Sequence, residues 1–117
     1  MLIDEIQINR EKNLPLFQRV KASTFYSLLG RASKKMRGIT FNYDHKSKII
    51  ETIIFFDSKL SEEEEEEMNI ANTEVLADIY NEVTYFLLTL EIIPSSEAIV
   101  DKRGNWGWVY LRHEYDF

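Results

Sequence analysis

The segment from Ile39 to Phe56 constrains the fold most. Ile39, Phe41 and Tyr43 alternate with Thr40 and Asn42, the period-two pattern of a half-buried strand. Asp44-His45-Lys46-Ser47 is turn-like, and Ile49-Ile50-Glu51-Thr52-Ile53-Ile54-Phe55-Phe56 follows, dense in β-branched and aromatic side chains. A helix accommodates such a run poorly, so the spacing predicts a β-hairpin with an apolar face that other elements must cover.

Two helices are expected to supply that cover. Asn13 and Pro15 mark a helix start, because a proline in the first turn forfeits no helical hydrogen bond. Phe17, Val20, Thr24 and Leu28 then recur at helical spacing, with Leu16, Phe25 and Leu29 widening the stripe and Gly30 supplying a left-handed stop. The reading is a helix over 14–29. Ser61-Glu62-Glu63-Glu64 has the form of a capping box, and Met68, Ala71, Val75 and Ile79, flanked by Leu76, give a second helix over 62–79.

Val83 to Ile92 reads as a long strand stopped by Pro94, and Ser95 to Asn105 as a loop. Trp106 to Arg112 reads as a last strand, with Trp106, Trp108 and Tyr110 on one face and Val109 and Leu111 on the other. The first dozen residues are ambiguous. The resulting order, α-β-β-α-β-β, predicts an α+β domain over 1–117: an antiparallel sheet of about four strands from two hairpins, packed by two helices on one face.

Composition narrows the function classes. With 117 residues, 44% of them apolar and 13% aromatic, the chain can bury one core. Cysteine is absent, which removes disulfides and thiolate metal sites and fits a reducing cytoplasm. Met1-Leu2-Ile3-Asp4-Glu5 carries acid where a secretory signal carries lysine, and no apolar run reaches membrane-spanning length, so a soluble cytoplasmic chain with no membrane partner is expected. The formal net charge of −6 argues against direct nucleic-acid binding, which draws on basic surface.

That charge is polarised. Arg10, Lys12, Arg19, Lys21, Arg31, Lys34, Lys35 and Arg37 crowd the first third, whereas Asp57, Glu62 through Glu67, Glu74, Asp78 and Glu82 crowd the middle. Part of the contrast can be internal pairing. Glutamates in a first helical turn complement the helix dipole, so the run reads as a solvated helix start. Six adjacent glutamates nevertheless exceed what capping needs, and Glu62, Glu63, Glu66, Glu67, Glu74 and Asp78 are candidates for an acidic partner-binding face. Trp106 joins them as a candidate contact, since exposed tryptophans make strong interface anchors, although a small sheet protein more often buries such a residue.

Nothing in the chain assembles an active site. His45 falls in a turn and His113 beside Glu114 near the C-terminus, where strand neighbours point to opposite faces; neither has zinc-ligand spacing. Gly30, Gly38, Gly104 and Gly107 form no phosphate-binding loop, and GxSxG and SxxK nucleophile motifs are absent. Consecutive exposed glutamates share one environment, whereas catalytic carboxylates need environments that separate their pKa values. No catalytic residue, metal or cofactor is expected, and a binding protein is favoured over an enzyme.

From about Leu28 to Glu114 the ordered motifs resemble small bacterial immunity proteins encoded beside polymorphic or contact-dependent growth-inhibition toxins. The likeness is carried by Leu29-Gly30-Arg31, Phe55-Phe56-Asp57, Ser61-Glu62-Glu63-Glu64, Thr73-Glu74-Val75-Leu76-Ala77-Asp78 and Trp108-Val109-Tyr110-Leu111-Arg112-His113-Glu114. The resemblance implies a non-enzymatic cytoplasmic inhibitor of a toxin's C-terminal domain. Many such toxins are nucleases, tRNA-cleaving enzymes among them, with basic substrate grooves that an acidic inhibitor complements. The alternative is an unrelated interaction or regulatory module, including a homodimer formed through a sheet edge or the aromatic face.

Overall fold

The computed structural model describes residues 14–28, 30–31 and 33–112. Its elements are α1 (Leu14–Leu28), β1 (Met36–Asp44), β2 (Ile49–Phe56), α2 (Glu62–Ile79), β3 (Tyr85–Ile92), a 3-10 turn (Val100–Lys102) and β4 (Trp108–Leu111). The α-β-β-α-β-β order and the α+β class are as the sequence predicts. The expectations for the first dozen residues, Leu29, His113 and Glu114 lie outside the described residues.

The hairpin is antiparallel, with Ile39, Phe41 and Tyr43 opposite Ile54, Thr52 and Ile50. These residues share one face of the sheet, and all are buried. At the turn, the Asp44 carboxylate accepts from the Lys46 N–H at 3.0 Å, and Lys48 closes the turn at φ 58°. Both helices lay their stripes on that face. Leu16, Phe17, Val20 and Leu28 of α1 and Met68, Ala71, Val75 and Ile79 of α2 join the strand residues in one core cluster.

The sheet is not wholly antiparallel. Its order is β3-β2-β1-β4, and β3 runs parallel to β2, with Ile50, Thr52 and Ile54 beside Phe86, Leu88 and Leu90. The cause is the connection: α2 occupies the link between β2 and β3 and carries the chain back along the sheet, so the next strand enters in the same direction. The second hairpin read from the sequence does not form. After β3 the chain crosses to the far edge, where β4 pairs antiparallel with β1.

The last strand is also shorter than its pattern suggests. Gly107 donates its N–H to the Gly104 carbonyl at 2.9 Å and has φ 77°, so residues 104–107 form a turn before β4 begins. That turn breaks the alternation predicted to place Trp106, Trp108 and Tyr110 together. Trp106 drops into the helix-side core, edge-on to Phe17 at 5.0 Å and tilted against Tyr43 at 4.8 Å. Trp108 lies on the opposite face against Phe55 at 5.6 Å, with its indole N–H on the Val100 carbonyl.

Candidate functional site

The acidic helix begins as a complete capping box. The Ser61 hydroxyl accepts from the Glu64 N–H at 3.1 Å, and the Glu64 carboxylate accepts from the Ser61 N–H at 2.9 Å. Two N–H groups that the helix itself cannot satisfy are thereby paired. Glu62, Glu63, Glu64 and Glu65 fill the first turn, where the helix dipole favours negative charge.

The basic first third and the acidic middle meet along the seam between α1 and α2. Arg31 is the centre of it, donating to Glu67 at 2.8 Å, to Glu74 at 2.9 Å and to the Ser27 carbonyl at 2.7 Å. Hydrogen bonds that Arg31 donates to Glu74 and then to Glu67 raise its pKa above the ordinary value. Lys35 donates to Glu64 at 2.8 Å, Ser23 to Asp78 at 2.5 Å, and Arg19 pairs with Glu82. The Lys35 ammonium, followed by the Ser61 N–H, holds the Glu64 carboxyl below the usual glutamate range. These partly exposed contacts tie α1 and residues 31–35 after it to α2 and to Glu82 more than they stabilise the fold.

The seam sorts the candidate residues. Glu67 and Glu74 are engaged by Arg31, just beyond α1, and Asp78 by Ser23 of α1, so three of the proposed partner contacts already have partners within the fold. Glu62, Glu63, Glu65 and Glu66 are exposed and form no ion pair among the described residues. Glu62 and Glu66 share a spacing of four with each other and continue into Asn69 and Thr73, the row opposite the buried Met68, Ala71 and Val75. The acids of α2 left without a partner among the described residues therefore lie in its first two turns, not along the whole helix. Trp106 is not part of it. With 0% exposure at the centre of the core, its side chain presents no surface to a partner.

A second cluster of polar contacts holds the segment between β3 and β4. Arg37, fully buried, donates to the carbonyls of Ile93 at 2.9 Å, Pro94 at 3.1 Å and Glu97 at 2.8 Å. Arg112 donates to Asp57 at 2.9 Å and to the Lys34 carbonyl at 2.7 Å. The Ser58 hydroxyl, with Arg112 and Arg37, keeps the Asp57 carboxyl below its ordinary range. Farther along, Asn105 caps the border of β1, its amide accepting from the Tyr43 N–H at 2.8 Å and donating to the Tyr43 carbonyl at 2.7 Å. This is a scaffold: the arginines and the asparagine donate to backbone carbonyls, to the Asp57 carboxylate and, from Arg112, to the Ser95 hydroxyl at 3.3 Å.

His45 lies exposed in the hairpin turn. Among the described residues no group of three or more His, Cys, Asp or Glu is arranged to hold a metal ion, and no helix is long and apolar enough to cross a membrane.

Sequence reasoning saw only the aromatic part of one surface, the sheet face away from the helices. Ile49 and Ile53 of β2, Tyr85 and Leu87 of β3, and Trp108 of β4 lie there, Tyr85 being 60% and Leu87 48% exposed. The signal was present, since Val83 to Ile92 is apolar on both faces, but a run of that kind fits a fully covered strand equally well.

The family model of the MafI2 immunity protein matches residues 18–114, well over half of the chain, and the chain belongs to that family. The resemblance read from the ordered motifs is therefore correct at the level of an immunity protein. A search of curated proteins finds no match.

Proposed function

We propose that this immunity protein neutralises a toxin of basic surface, a nuclease being the class that fits best, by placing the first two turns of α2 against the toxin's substrate groove. It acts by binding, not by catalysis, and it does so in the cytoplasm, the compartment its cysteine-free sequence suits. Family membership supplies the toxin as partner; the chemistry of the contact is argued from charge.

One observation carries the reading. Glu62, Glu63, Glu65 and Glu66 stand exposed around a helix start, while neighbouring acids of the same helix are matched by Arg31, Lys35 and Ser23. The fold satisfies its own need for acid at Glu64, Glu67, Glu74 and Asp78. The remaining four repel one another and gain most from an external cation array such as a phosphate-binding groove. Glu67, Glu74 and Asp78 contribute indirectly, by fixing α2 on Arg31 and on Ser23 of α1.

The test is association kinetics of the full chain with the cognate toxin domain. Reversing Glu62, Glu63 and Glu66 to lysine should slow association about tenfold or more at low salt and flatten its salt dependence. Unchanged association and an unchanged salt slope in the folded triple variant would place the interface elsewhere. Protection of toxin-expressing cells by the variant provides the functional readout.

A further inference from the structure

The outer edge of β3 is undefended. β3 is a terminal strand of the sheet, and no described strand lies beyond it. Edge strands ordinarily discourage pairing by being short, by carrying lysine or proline, or by a bulge. The opposite edge follows that rule: β4 has four residues and meets β1 through a register shift. β3 does not. It runs for eight residues, Tyr85-Phe86-Leu87-Leu88-Thr89-Leu90-Glu91-Ile92, with no proline, no lysine and one charge. Tyr85, Leu87 and Ile92 are exposed, and Leu88 and Leu90 are only half-buried despite packing on the core. The Asn72 amide of α2 reaches the Phe86 carbonyl at 3.5 Å, the weak limit of a hydrogen bond.

We infer that β3 pairs antiparallel with β3 of a second copy, about a two-fold axis through Leu88, extending the sheet from four strands to eight. The occupant and register follow from the strand itself. A two-fold axis normal to the sheet keeps each face continuous, so residues opposite one another must lie on the same face and the axis must pass through a residue. An axis through Leu87 pairs only 85–89, whereas axes through Leu88 and Thr89 pair 85–91 and 86–92. Glu91 decides between these two. With the axis at Thr89 its carboxylate faces the apolar Leu87 of the second copy. With the axis at Leu88 it faces Tyr85, whose hydroxyl can donate to it.

The Leu88 axis also sets Leu88 against itself, Phe86 against Leu90 and Leu87 against Thr89, covering apolar side chains on both faces. The two Glu91 carboxylates lie three residues either side of the axis, about 20 Å apart along the strand, so like charges do not meet. A foreign strand would have to supply this complement; a second copy already has it. The inference does not depend on how the toxin is bound.

The absence of native cysteine makes the register directly testable in the full chain. Opposed residues in an antiparallel pair lie within disulfide reach, so Leu88→Cys should form a covalent dimer under mild oxidation, and Thr89→Cys should form far less. The unmodified chain should sediment at twice the monomer mass at micromolar concentration, and Leu88→Lys, which opposes two ammonium groups on the axis, should shift it to monomer. Circular dichroism checks that each variant is folded. A chain that stays monomeric, with no Leu88→Cys dimer, overturns the proposal. So does faster crosslinking at Thr89→Cys, or a dimer that neither cysteine traps. Crosslinking of Leu88→Cys to a partner protein alone would assign the edge to a foreign strand instead.

Discussion

Gly104 sits where no other residue fits. A β-carbon built on it would lie 2.1 Å from the Phe41 carbonyl oxygen and 2.7 Å from the Asn42 amide oxygen. The obstacle is backbone in the middle of the sheet, which cannot swing aside as a side-chain tip can. Its N–H also donates to the Thr40 hydroxyl at 2.7 Å, so displacement breaks a buried bond. Gly104→Ala should therefore cost about 3 kcal/mol or more, read as a shift in urea midpoint at constant m-value. Lys48 is the opposite case. It holds φ 58° at the end of the hairpin turn with an exposed side chain, a conformation that disfavours a β-carbon. Lys48→Gly should stabilise the fold by about 0.5–1 kcal/mol, the relief of the left-handed strain exceeding the extra unfolded-chain entropy. A loss of stability would mean that the lysine side chain contributes contacts that its exposure does not suggest.

At the scale of an element, α2 depends on its first turn. Ser61→Ala leaves the Glu64 N–H without its acceptor and should cost about 1 kcal/mol, measured by chemical denaturation. The same turn carries a pH signature. Glu64 has a depressed pKa in the fold because it accepts from Lys35 and from the Ser61 N–H. A depressed carboxylate contributes stability that is present above its unfolded pKa, near 4.5, and is lost as pH falls through the lower folded value. Stability should thus decline as pH is lowered below about 4.5, and Lys35→Met should make that decline shallower; an identical pH profile in the variant would remove Glu64 as its source.

Elements also mark how far the sequence could be read. The hairpin and α2 were legible because their signals are local: a period of two, and a serine three residues before a glutamate. The direction of β3 was not, because its parallel course follows from where α2 carries the chain and not from anything within 85–92. Trp106 was assigned to the wrong face for a single reason, the positive φ at Gly107, which ends the alternation one residue before β4. For the candidate site the acidity was legible, but its division was not. Whether a glutamate of α2 is available depends on Arg31 and Lys35, more than 25 residues away in sequence and adjacent only after folding.

On the scale of the molecule, one apolar cluster joins α1, α2 and the first three strands, and Trp106 ties the segment before β4 into it. Phe17 from α1 and Phe41 and Tyr43 from β1 each pack against the indole of Trp106, so neither α1 nor β4 with its preceding turn can leave without opening the same core. Arg37 and Arg112 add a second tie, fastening residues 93–97 and the end of β4 to β1 and to Asp57. A chain so connected should unfold in a single step. Trp106 offers a way to observe it: Trp108→Phe leaves Trp106 as the sole tryptophan, fully buried and sensitive to core opening. In that variant the urea transition followed by tryptophan fluorescence should coincide with the transition followed by far-ultraviolet circular dichroism, which reports mainly the two helices. Trp106→Ala should lower the midpoint of the dichroism transition by an amount equivalent to about 3–5 kcal/mol. An earlier fluorescence change, with the helical signal intact, would show instead that β4 and its preceding turn open on their own and that α1, α2 and the hairpin form the stable nucleus to which they are attached.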